Sequence, residues 1–290
     1  MSGKLNILVT GSEGQLGSSL RRHISGNKDN FIFTDINELD ITDEKKVKEY
    51  VVSNNIDVII NCAAFTNVEA AEDNPEKAFL LNGEAPKFLA EALREREGFL
   101  IHISTDYVFG GELVNTPIKE DALTYPTGVY GITKLSGEEN IIKSGVKSII
   151  FRTSWLYSPY GNNFVKKIIS LLNQRDEIKV VLDQCGTPTY SGDLAKAILE
   201  IISSRKFEGN EGIYHYSNEG VCSWFDFAQE IARLSGFTER KKILPCLSKD
   251  FPSKVIRPAY SVLDKTKVKE TFGIEIPYWS DSLKNCIREL

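Results

Sequence analysis

The sequence predicts an α/β protein with a doubly wound parallel sheet, followed by a smaller, mixed C-terminal part. Three observations support this: a glycine-rich turn follows the first apolar strand, strand and helix patterns alternate through residues 1–154, and the alternation weakens over 155–290. No low-complexity linker separates the two parts, so we expect one packed body in which some C-terminal segments return to the sheet. A chain of 290 residues can bury a substantial core in this arrangement.

The first strand, at 5–10, leads into Gly11, Gly14 and Gly17, which open the first helix. Glycines at this spacing allow a tight turn, a close approach of the backbone to a pyrophosphate and close packing of helix on strand. The phosphates would bind the free amides at the helix N-terminus. Residues 1–154 are therefore predicted to be an NAD(P)-binding Rossmann domain. The alternative is a glycine-rich turn without a ligand.

The second strand, at 31–34, ends at Asp35. An acid at this point can accept hydrogen bonds from the adenosine ribose hydroxyls, which favours NAD over its 2′-phosphorylated form. A solvated loop aspartate is the alternative. The elements that follow alternate in type, as a parallel sheet requires. They are a helix over 43–53, a strand at 57–61 with small residues after it, a helix over 75–96, a strand at 99–103, a helix over 130–143 and a strand at 147–152.

A tyrosine and a lysine four positions apart, Tyr130 and Lys134, share one face of the predicted helix. A lysine ammonium near a phenol favours the phenolate, so we expect Tyr130 to exchange a proton near neutral pH, well below the usual tyrosine pKa of about 10. The strand before this helix ends in small hydroxyl residues, which can hold the substrate oxygen that receives the proton. A Tyr-x-x-x-Lys pair indicates a catalytic role only where a dinucleotide site lies beside it.

The main role predicted for the second part, 155–290, is substrate binding. Prolines mark 240–260 as loops that could fold over a bound ligand. Four aromatic residues are predicted to be core: Tyr214, Tyr216, Trp224 and Phe225. The predicted elements are helices over 163–174, 193–203 and 223–235 and strands at 178–182 and 212–216.

Composition excludes several classes of protein. A net charge of −5 gives no electrostatic reason to expect nucleic acid as a partner. The five cysteines are scattered and odd in number, which argues for reduced thiols in a cytoplasmic protein and against a disulfide framework or a zinc site. No apolar run reaches the length of a membrane span, and the N-terminus has no apolar signal sequence, so we expect a soluble protein.

Two runs are more specific than the glycine turn and the Tyr/Lys pair: Thr-Asp-Tyr-Val-Phe at 105–109 and Arg-Thr-Ser-Trp-Leu-Tyr at 152–157. With them, the chain resembles the extended short-chain dehydrogenase/reductase superfamily and, within it, the family of dTDP-4-dehydrorhamnose reductases. The resemblance covers nearly the whole chain. Further matching stretches lie at 61–69, 161–164, 183–189 and 257–258.

The resemblance implies an NAD(P)H-dependent oxidoreductase that reduces the 4-keto group of dTDP-4-dehydro-L-rhamnose to dTDP-L-rhamnose. In such an enzyme Tyr130 would be the general acid that protonates the 4-keto oxygen. Lys134 would lower the pKa of Tyr130 and hold the nicotinamide ribose. Thr105 would hydrogen-bond the substrate carbonyl or the tyrosine hydroxyl.

The family also implies which residues bind the two ligands. Residues implied around the dinucleotide are Gly11, Gly14, Gln15, Leu16, Gly17, Asp35, Asp40, Ile41, Ala63, Ala64, Phe65, Thr66, Tyr130 and Lys134. Residues implied at the sugar are Thr105, Asp106 and Trp155, with Asn162, Asn163 and Arg257 as candidates for the diphosphate. A core role for Trp155 and a turn-capping role for Asp106 are the alternatives.

Two departures from the family pattern affect the metal and the coenzyme. Some members dimerise through a magnesium site built of carboxylates, but Ser19 and Gly192 stand where those acids would fall. We therefore predict no metal ligands, and the chain is expected to be a monomer or a homodimer. Asp35 favours NADH although reductases of this family often accept NADPH, so both coenzymes stay open. Glu69 replaces the usual aspartate and keeps its charge.

Two other functions are compatible with the motifs. A nucleotide-sugar epimerase or dehydratase would share the glycine turn and the Tyr/Lys pair. Dehydratases, however, have an Asp-Glu pair after the catalytic threonine, where this chain has Asp106 and Tyr107. A non-catalytic regulatory subunit like that of methionine adenosyltransferase also resembles this family and acts by binding a partner. Net oxidation of added cofactor would distinguish a reductase from both.

Overall fold

The computed structural model describes residues 3–110, 115–237, 241–251 and 253–290. Its centre is a six-stranded parallel sheet with helices on both faces, which confirms the predicted Rossmann-type fold. The strands of this sheet are β1 (Asn6–Thr10), β2 (Asn30–Thr34), β3 (Val58–Asn61), β4 (Phe99–Thr105), β5 (Lys147–Thr153) and β10 (Gly212–His215).

The strand order is β2-β1-β3-β4-β5-β10. The chain leaves β1 toward β2 on one side and returns to place β3 on the other, which creates a crevice at the carboxyl end of β1. Ligands of doubly wound sheets bind at such a reversal. The last strand, β10, comes from the C-terminal part and pairs in parallel with β5, with Ile213 opposite Ile150.

Alternate residues of the strands supply two cores, one on each face of the sheet. In β1, Ile7 and Val9 belong to the first core and Leu8 belongs to the second. The helices that cover the first face are α1 (Gln15–His23), α8 (Ser191–Ser203) and α10 (Thr266–Phe272). Those that cover the second face are α2 (Glu44–Ser53), α5 (Ala85–Arg94) and α6 (Val129–Ser144).

The C-terminal part has a third core of its own, in which α7, α9 and α11 pack around residues such as Phe227 and Leu283. Short strands connect these helices to the sheet domain. The helices of this part are α7 (Phe164–Gln174), α9 (Trp224–Leu234) and α11 (Trp279–Ile287). Its strands are β6 (Leu156–Tyr157), β7 (Glu177–Val181), β8 (Cys185–Gly186), β9 (Thr189–Tyr190), β11 (Cys222–Ser223), β12 (Lys242–Cys246) and β13 (Tyr260–Ser261).

The helix predicted over 75–96 is present, and a π-helical turn lies inside it. It consists of α4 (Pro75–Phe79), a π-helical turn (Leu80–Glu84) and α5, and a separate helix α3 (Val68–Asp73) precedes it. Pro86 lies in the first turn of α5 and has no N–H to donate, so the regular hydrogen-bond ladder cannot continue through this point.

The stretch 240–260, predicted as loops, contains two strands among its described residues. Strand β12 pairs in parallel with β7 over five residues, and β13 pairs with β8. Pro245 is tolerated inside β12 because the strand has a partner on one side only, where an edge position can spare one N–H. Positions 240 and 252 of that stretch lie outside the described residues. Among the described helices none is long and apolar enough to cross a membrane.

Candidate active site

A cavity of about 550 Å³ opens at the carboxyl ends of the central strands, between the sheet domain and the C-terminal part. This is the crevice that the strand order predicts for a ligand. The predicted site residues that line it are Gly14, Gln15, Leu16, Ala64, Thr66, Thr105, Asp106, Tyr130, Lys134, Trp155, Asn162, Asn163 and Arg257. Predicted site residues outside its lining are Gly11, Gly17, Asp35, Asp40, Ile41, Ala63 and Phe65.

The glycine turn is close-packed, which explains why Gly11 and Gly17 lie behind the cavity wall. Gly11 has a φ of +62°, and a Cβ there would lie 2.6 Å from the Ala63 nitrogen. A Cβ on Gly17 would lie 2.5 Å from the Gly11 oxygen. Gly14 is the N-cap of α1 and offers no capping side chain, so the first amides of the helix stay available to a ligand.

Asp35 lies beside this turn, where its Oδ2 accepts the Glu13 amide hydrogen at 3.0 Å. Asp40 accepts hydrogen bonds from the Thr42 amide and hydroxyl, and Ile41 is buried in the second core. The binding roles of these three residues therefore stay predictions.

The loop 63–66 is held by Asn82, which comes from the π-helical turn. Its Oδ1 accepts the Phe65 amide hydrogen at 2.8 Å, and its Nδ2 donates to the Phe65 carbonyl at 3.1 Å and to Thr133 Oγ1 at 3.2 Å. Asn82 is fully buried and connects the loop to α6. The sequence analysis missed this residue; the break at Pro86 was the available signal.

Thr105 and Tyr130 meet at the end of β4. The Thr105 hydroxyl receives the Tyr107 amide hydrogen, donates to Asp106 Oδ1 at 3.0 Å and interacts with the Tyr130 phenol. The Tyr107 ring packs edge-on against Tyr130, with 5.5 Å between centroids. The structure thus brings together the predicted hydroxyl and the predicted acid.

The expected effect of Lys134 on Tyr130 is not found, which corrects the prediction. Burial raises the pKa of Tyr130, with Asp106 and Tyr107 adding to the rise and the Thr105 contact opposing it. Lys134 Nζ instead lies 2.6 Å from the Ile103 carbonyl oxygen and 3.2 Å from His102 Nε2. Burial lowers the pKa of Lys134 to about 8.

A buried ion pair lies one turn further along α6. Arg152 Nη2 donates to Glu138 Oε2 at 2.7 Å, and Nε of the same guanidinium contacts both carboxylate oxygens. Ser104 donates a hydrogen bond to Glu138 as well. Glu138 and Arg152 are 1% and 3% exposed. The pair connects α6 to β5 and thereby positions the helix that carries Tyr130.

Asp106 is buried and lines the cavity. Within the described residues its Oδ2 has no hydrogen-bond partner of normal geometry. Burial raises the pKa of the carboxyl to about 7, against the opposing effect of the Thr105 and Ser261 hydroxyls. Thr105, rather than Asp106, caps the short 3₁₀ turn that follows β4. A buried carboxyl oxygen without a partner, at a cavity wall, is suited to a ligand hydroxyl.

Trp155 and Trp224 form one wall of the cavity. Their rings stack, and Trp155 has a φ of 49°, which is unusual for a residue with a side chain. A Cβ on Gly186 would lie 2.7 Å from the Trp155 ring, so only glycine leaves space for the indole. Trp224, predicted as core, packs at the rim of the third core and also lines the cavity.

Asn163, a predicted diphosphate contact, is committed to other hydrogen bonds. Its Oδ1 caps α7 at the Lys166 amide, and its Nδ2 donates to Gln15 Oε1 at 3.0 Å and to the Ser158 carbonyl at 2.8 Å. Gln15 Oε1 also accepts from the Ser158 hydroxyl. These contacts fasten the C-terminal part to the glycine turn.

Arg257 lies between this cavity and a second one of about 630 Å³. Its Nη2 is 3.5 Å from Glu69 Oε1, and Glu69 also accepts hydrogen bonds from the Ser253 hydroxyl and the Lys254 amide. The acid at position 69 therefore holds the segment that carries Arg257. The second cavity contains three lysines beside apolar walls: Lys167, Lys179 and Lys249.

At the two positions where the family pattern would place magnesium-binding acids, the structure contains Ser19 and Gly192. Ser19 Oγ lies 2.7 Å from Ser191 Oγ, and a Cβ on Gly192 would lie 2.5 Å from the Tyr190 ring. No group of three or more potential metal-ligating His, Cys, Asp or Glu side chains occurs in the described part of the chain. Metal independence stays a prediction.

Several cavity residues were not predicted as site residues. Most of them lie inside the stretches that match the family but were not assigned a ligand contact, and tertiary packing brings them to the cavity. These residues are Cys62, Ile103, Ser104, Tyr107, Thr153, Ser154, Leu156, Gly161, Gln184, Pro258 and Ser261.

A glycine turn at the sheet reversal, with a Tyr-x-x-x-Lys pair on α6 beside a strand-end threonine, defines a protein of the extended short-chain dehydrogenase/reductase class. More narrowly, the chain belongs to the family described as "RmlD substrate binding domain", whose model matches residues 5–290. The predicted resemblance is thereby confirmed.

Individual relatives match over nearly their full length. A dTDP-4-dehydrorhamnose reductase of Aggregatibacter actinomycetemcomitans is 39% identical, covering 96% of this chain and 97% of that protein. The crystal structure of a Clostridium acetobutylicum dTDP-4-dehydrorhamnose reductase is 41% identical with a TM-score of 0.93, covering 98% and 99% of the two chains. The Bacillus anthracis reductase, crystallised with NADP, is 35% identical with a TM-score of 0.93, covering 99% and 100%.

Proposed function

We propose that the protein reduces the 4-keto group of dTDP-4-dehydro-L-rhamnose to dTDP-L-rhamnose, with hydride from NADPH or NADH. The observation that carries the proposal is the single cavity in which the glycine turn, Tyr130 and Thr105 lie together with the unpartnered oxygen of Asp106. The names of the relatives described above support the same reaction. Both epimerases and regulatory subunits would leave added cofactor unconsumed overall.

The residues of the glycine turn fit a dinucleotide. The first turn of α1 contains no acidic side chain and no side-chain cap, so its amides and its positive dipole end can receive a pyrophosphate. Gly14, Gln15 and Leu16 would hold it, and Lys134 would hold the nicotinamide ribose. The bound cofactor supplies the hydride.

The protein's own chemical task is then to orient the substrate and deliver one proton. Tyr130 is protonated in this structure because burial raises its pKa, so it can act as the donor to a developing alkoxide. Thr105 interacts with the phenol and can hydrogen-bond to the substrate oxygen that Tyr130 protonates. The stacked Trp155 and Trp224 offer an apolar face to the deoxyhexose, and Asp106 Oδ2 can accept from a sugar hydroxyl.

The nucleotide end of the substrate requires space beyond the sugar site. The second cavity supplies it, because it adjoins the first at Gln184, Trp224 and Arg257. Its lysines and Arg257 provide positive charge for a diphosphate, and its apolar walls suit a pyrimidine base. Asn163 contributes indirectly, by holding α7 against Gln15.

Two further proposals concern the setting of the enzyme. The five cysteines are free thiols, which supports a location in the reducing cytoplasm. A monomer or a homodimer remains the expected state.

The test is oxidation of NADPH or NADH at 340 nm with substrate generated in situ by the upstream enzymes. We expect substrate-dependent oxidation, reduced by roughly 10²- to 10⁴-fold in Tyr130→Phe with coenzyme binding retained. The matched control is Tyr125→Phe, which changes an exposed tyrosine and should leave turnover unchanged. Near-normal turnover in Tyr130→Phe, or coenzyme bound without any net oxidation, would exclude the proposal.

A further inference from the structure

A chain of buried polar side chains runs behind Lys134, away from the cavity. Thr10 at the end of β1, Asn61 at the end of β3 and His102 in β4 follow one another across the sheet. His102 Nε2 then lies 3.2 Å from Lys134 Nζ. Thr10 and Lys134 are 1% exposed and the other two are fully buried, so these groups hydrogen-bond to one another and not to solvent.

The direction of each hydrogen bond follows from a backbone amide at the far end. The Ala63 N–H faces Asn61 Oδ1 at 3.2 Å, and a backbone N–H can only donate, so the atom facing it is the amide oxygen. Asn61 Nδ2 is then the atom 3.1 Å from His102 Nδ1. Because an amide nitrogen donates, His102 Nδ1 must accept and carries no hydrogen.

The last hydrogen bond of this series, between His102 and Lys134, determines the protonation state of the lysine. Burial lowers the pKa of His102 well below its usual value, so the ring is neutral and has one N–H, on Nε2. That N–H faces Lys134 Nζ, which must accept it. An ammonium has no lone pair, whereas a neutral amine can accept from His102 and still donate to the Ile103 carbonyl oxygen at 2.6 Å.

We propose that His102 is a positioning residue that holds Lys134 as a neutral amine in the free protein, and that charging Lys134 requires its contact with His102 to break. The catalytic meaning rests on the proposed function, in which Lys134 holds the nicotinamide ribose. Cofactor binding would pull Lys134 away from His102 and charge it by uptake of a proton from solvent. The enzyme would thereby acquire its lysine cation together with its cofactor.

Burial lowers the pKa of Lys134 to about 8 and favours the neutral amine, whereas two neighbouring groups act in the opposite direction. Glu138, one turn along α6, raises the pKa of Lys134, and the Arg152 guanidinium of β5 neutralises the charge of that carboxylate. Cys62, after β3, faces Lys134 as a neutral thiol because burial raises its pKa. Tyr130 on the same helix is also neutral.

The tautomer of His102 can be observed directly by ¹⁵N NMR of the ring nitrogens in the free protein near pH 8. The chain has three histidines, and the other two serve as references. His23 Nδ1 lies 2.8 Å from the Ser19 carbonyl oxygen and His215 Nδ1 lies 3.1 Å from that of Ile118, so both carry hydrogen on Nδ1. We expect His102 alone to carry it on Nε2. An Nδ1-protonated His102 would overturn the proposal, whether or not the protein is a reductase.

The second measurement is the number of protons taken up when NADPH binds, from titration calorimetry in two buffers of different ionisation enthalpy. We expect uptake of up to one proton in the natural protein at pH 9, which lies above the Lys134 pKa of about 8. In His102→Gln an amide oxygen can accept from the ammonium, so Lys134 is already charged and the uptake should fall at least severalfold. His215→Gln, the matched control, changes a buried histidine that faces Ile118 and should retain it. Equal uptake in all three proteins would contradict the proposal, and if His102→Gln fails to fold, the NMR result decides.

Discussion

The indole ring of Trp155 lies parallel to that of Trp224, with 3.6 Å between ring centroids and 9° between the planes. Trp155 directly follows the sheet domain, and Trp224 begins α9 of the C-terminal part. One flat apolar wall is therefore built from both parts of the chain, and it faces the cavity that also contains Tyr130.

Removing half of this wall should weaken substrate binding more than turnover. We expect Trp224→Ala to raise KM by about 3- to 10-fold, because aromatic pairs contribute roughly 0.5–1.5 kcal/mol beyond buried area. The Tyr130–Thr105 contact is untouched, so kcat should change little. Steady-state kinetics at 340 nm measures both constants. Trp224→Phe should recover part of the loss, and a variant that lowers kcat alone would contradict a binding role.

The buried pair Glu138–Arg152 should be important for stability. Glu138→Gln leaves the Arg152 guanidinium buried without its counter-charge, and we expect a loss of about 3–5 kcal/mol in the free energy of unfolding. Urea denaturation measures it. The control is Glu139→Gln in the exposed Lys143–Glu139 pair on the same helix, where the loss should stay below about 1 kcal/mol. Equal losses would mean that burial does not distinguish the pairs.

Asp106 should make stability depend on pH. Its pKa rises from 3.8 to about 7 on folding because the carboxyl is buried, so the folded state binds more protons than the unfolded state between these values. Stability contributed by the protonated carboxyl is therefore present below about pH 4 and lost as pH rises toward 7.

Asp106→Asn cannot ionise and should remove this loss. We expect the variant to gain stability relative to the natural protein as pH rises from 4 to 8, measured as the shift in urea midpoint. Asp183→Asn provides the comparison, because hydrogen bonds from Ser248 lower the pKa of the Asp183 carboxyl and its contribution has the opposite sign. A difference between Asp106→Asn and the natural protein that does not change with pH would show that folding does not raise the pKa of Asp106.

Asp35 should influence the choice of coenzyme. Its carboxylate lies beside the glycine turn, where it repels a 2′-phosphate and can accept from a ribose hydroxyl. We expect Asp35→Asn to shift the ratio of kcat/KM for NADPH over NADH upward by about 10-fold, corresponding to 1.4 kcal/mol. Glu44→Gln at the start of α2 removes the same charge farther from the turn and should leave the ratio unchanged.

Periodicity and spacing were sufficient to predict the sheet, the Tyr130–Lys134 pair and a strand-end hydroxyl, whereas the family resemblance identified that hydroxyl as Thr105. Strand–helix alternation predicted every strand from β1 to β5, and the strand at 212–216 matches β10. Thr105 and Tyr130 meet as predicted because both follow from sheet geometry: one ends β4, and the other begins the helix that returns to β5.

The other features of the site depend on contacts between residues that are far apart in the sequence, and local sequence patterns do not predict such contacts. Asn82 lies in the π-helical turn and hydrogen-bonds loop 63–66, a contact that helical periodicity does not predict. Trp224 resembles any buried aromatic residue in sequence, and its exposure to the cavity follows from its position opposite Trp155. The predicted effect of Lys134 on Tyr130 was wrong because spacing on a helix does not show that His102 and Ile103 compete for the amine.

The position of β10 at the edge of the sheet limits how this scaffold can be recombined. A chimera joined at residue 154 would pair β5 with a strand inherited from the other parent. The boundary between the two parents would therefore cross the β5–β10 hydrogen bonds and the first core. Parents must therefore match along Gly212–His215 before their C-terminal halves can be exchanged. Changes in substrate preference are more accessible through the loops around the cavity than through shuffling of whole modules.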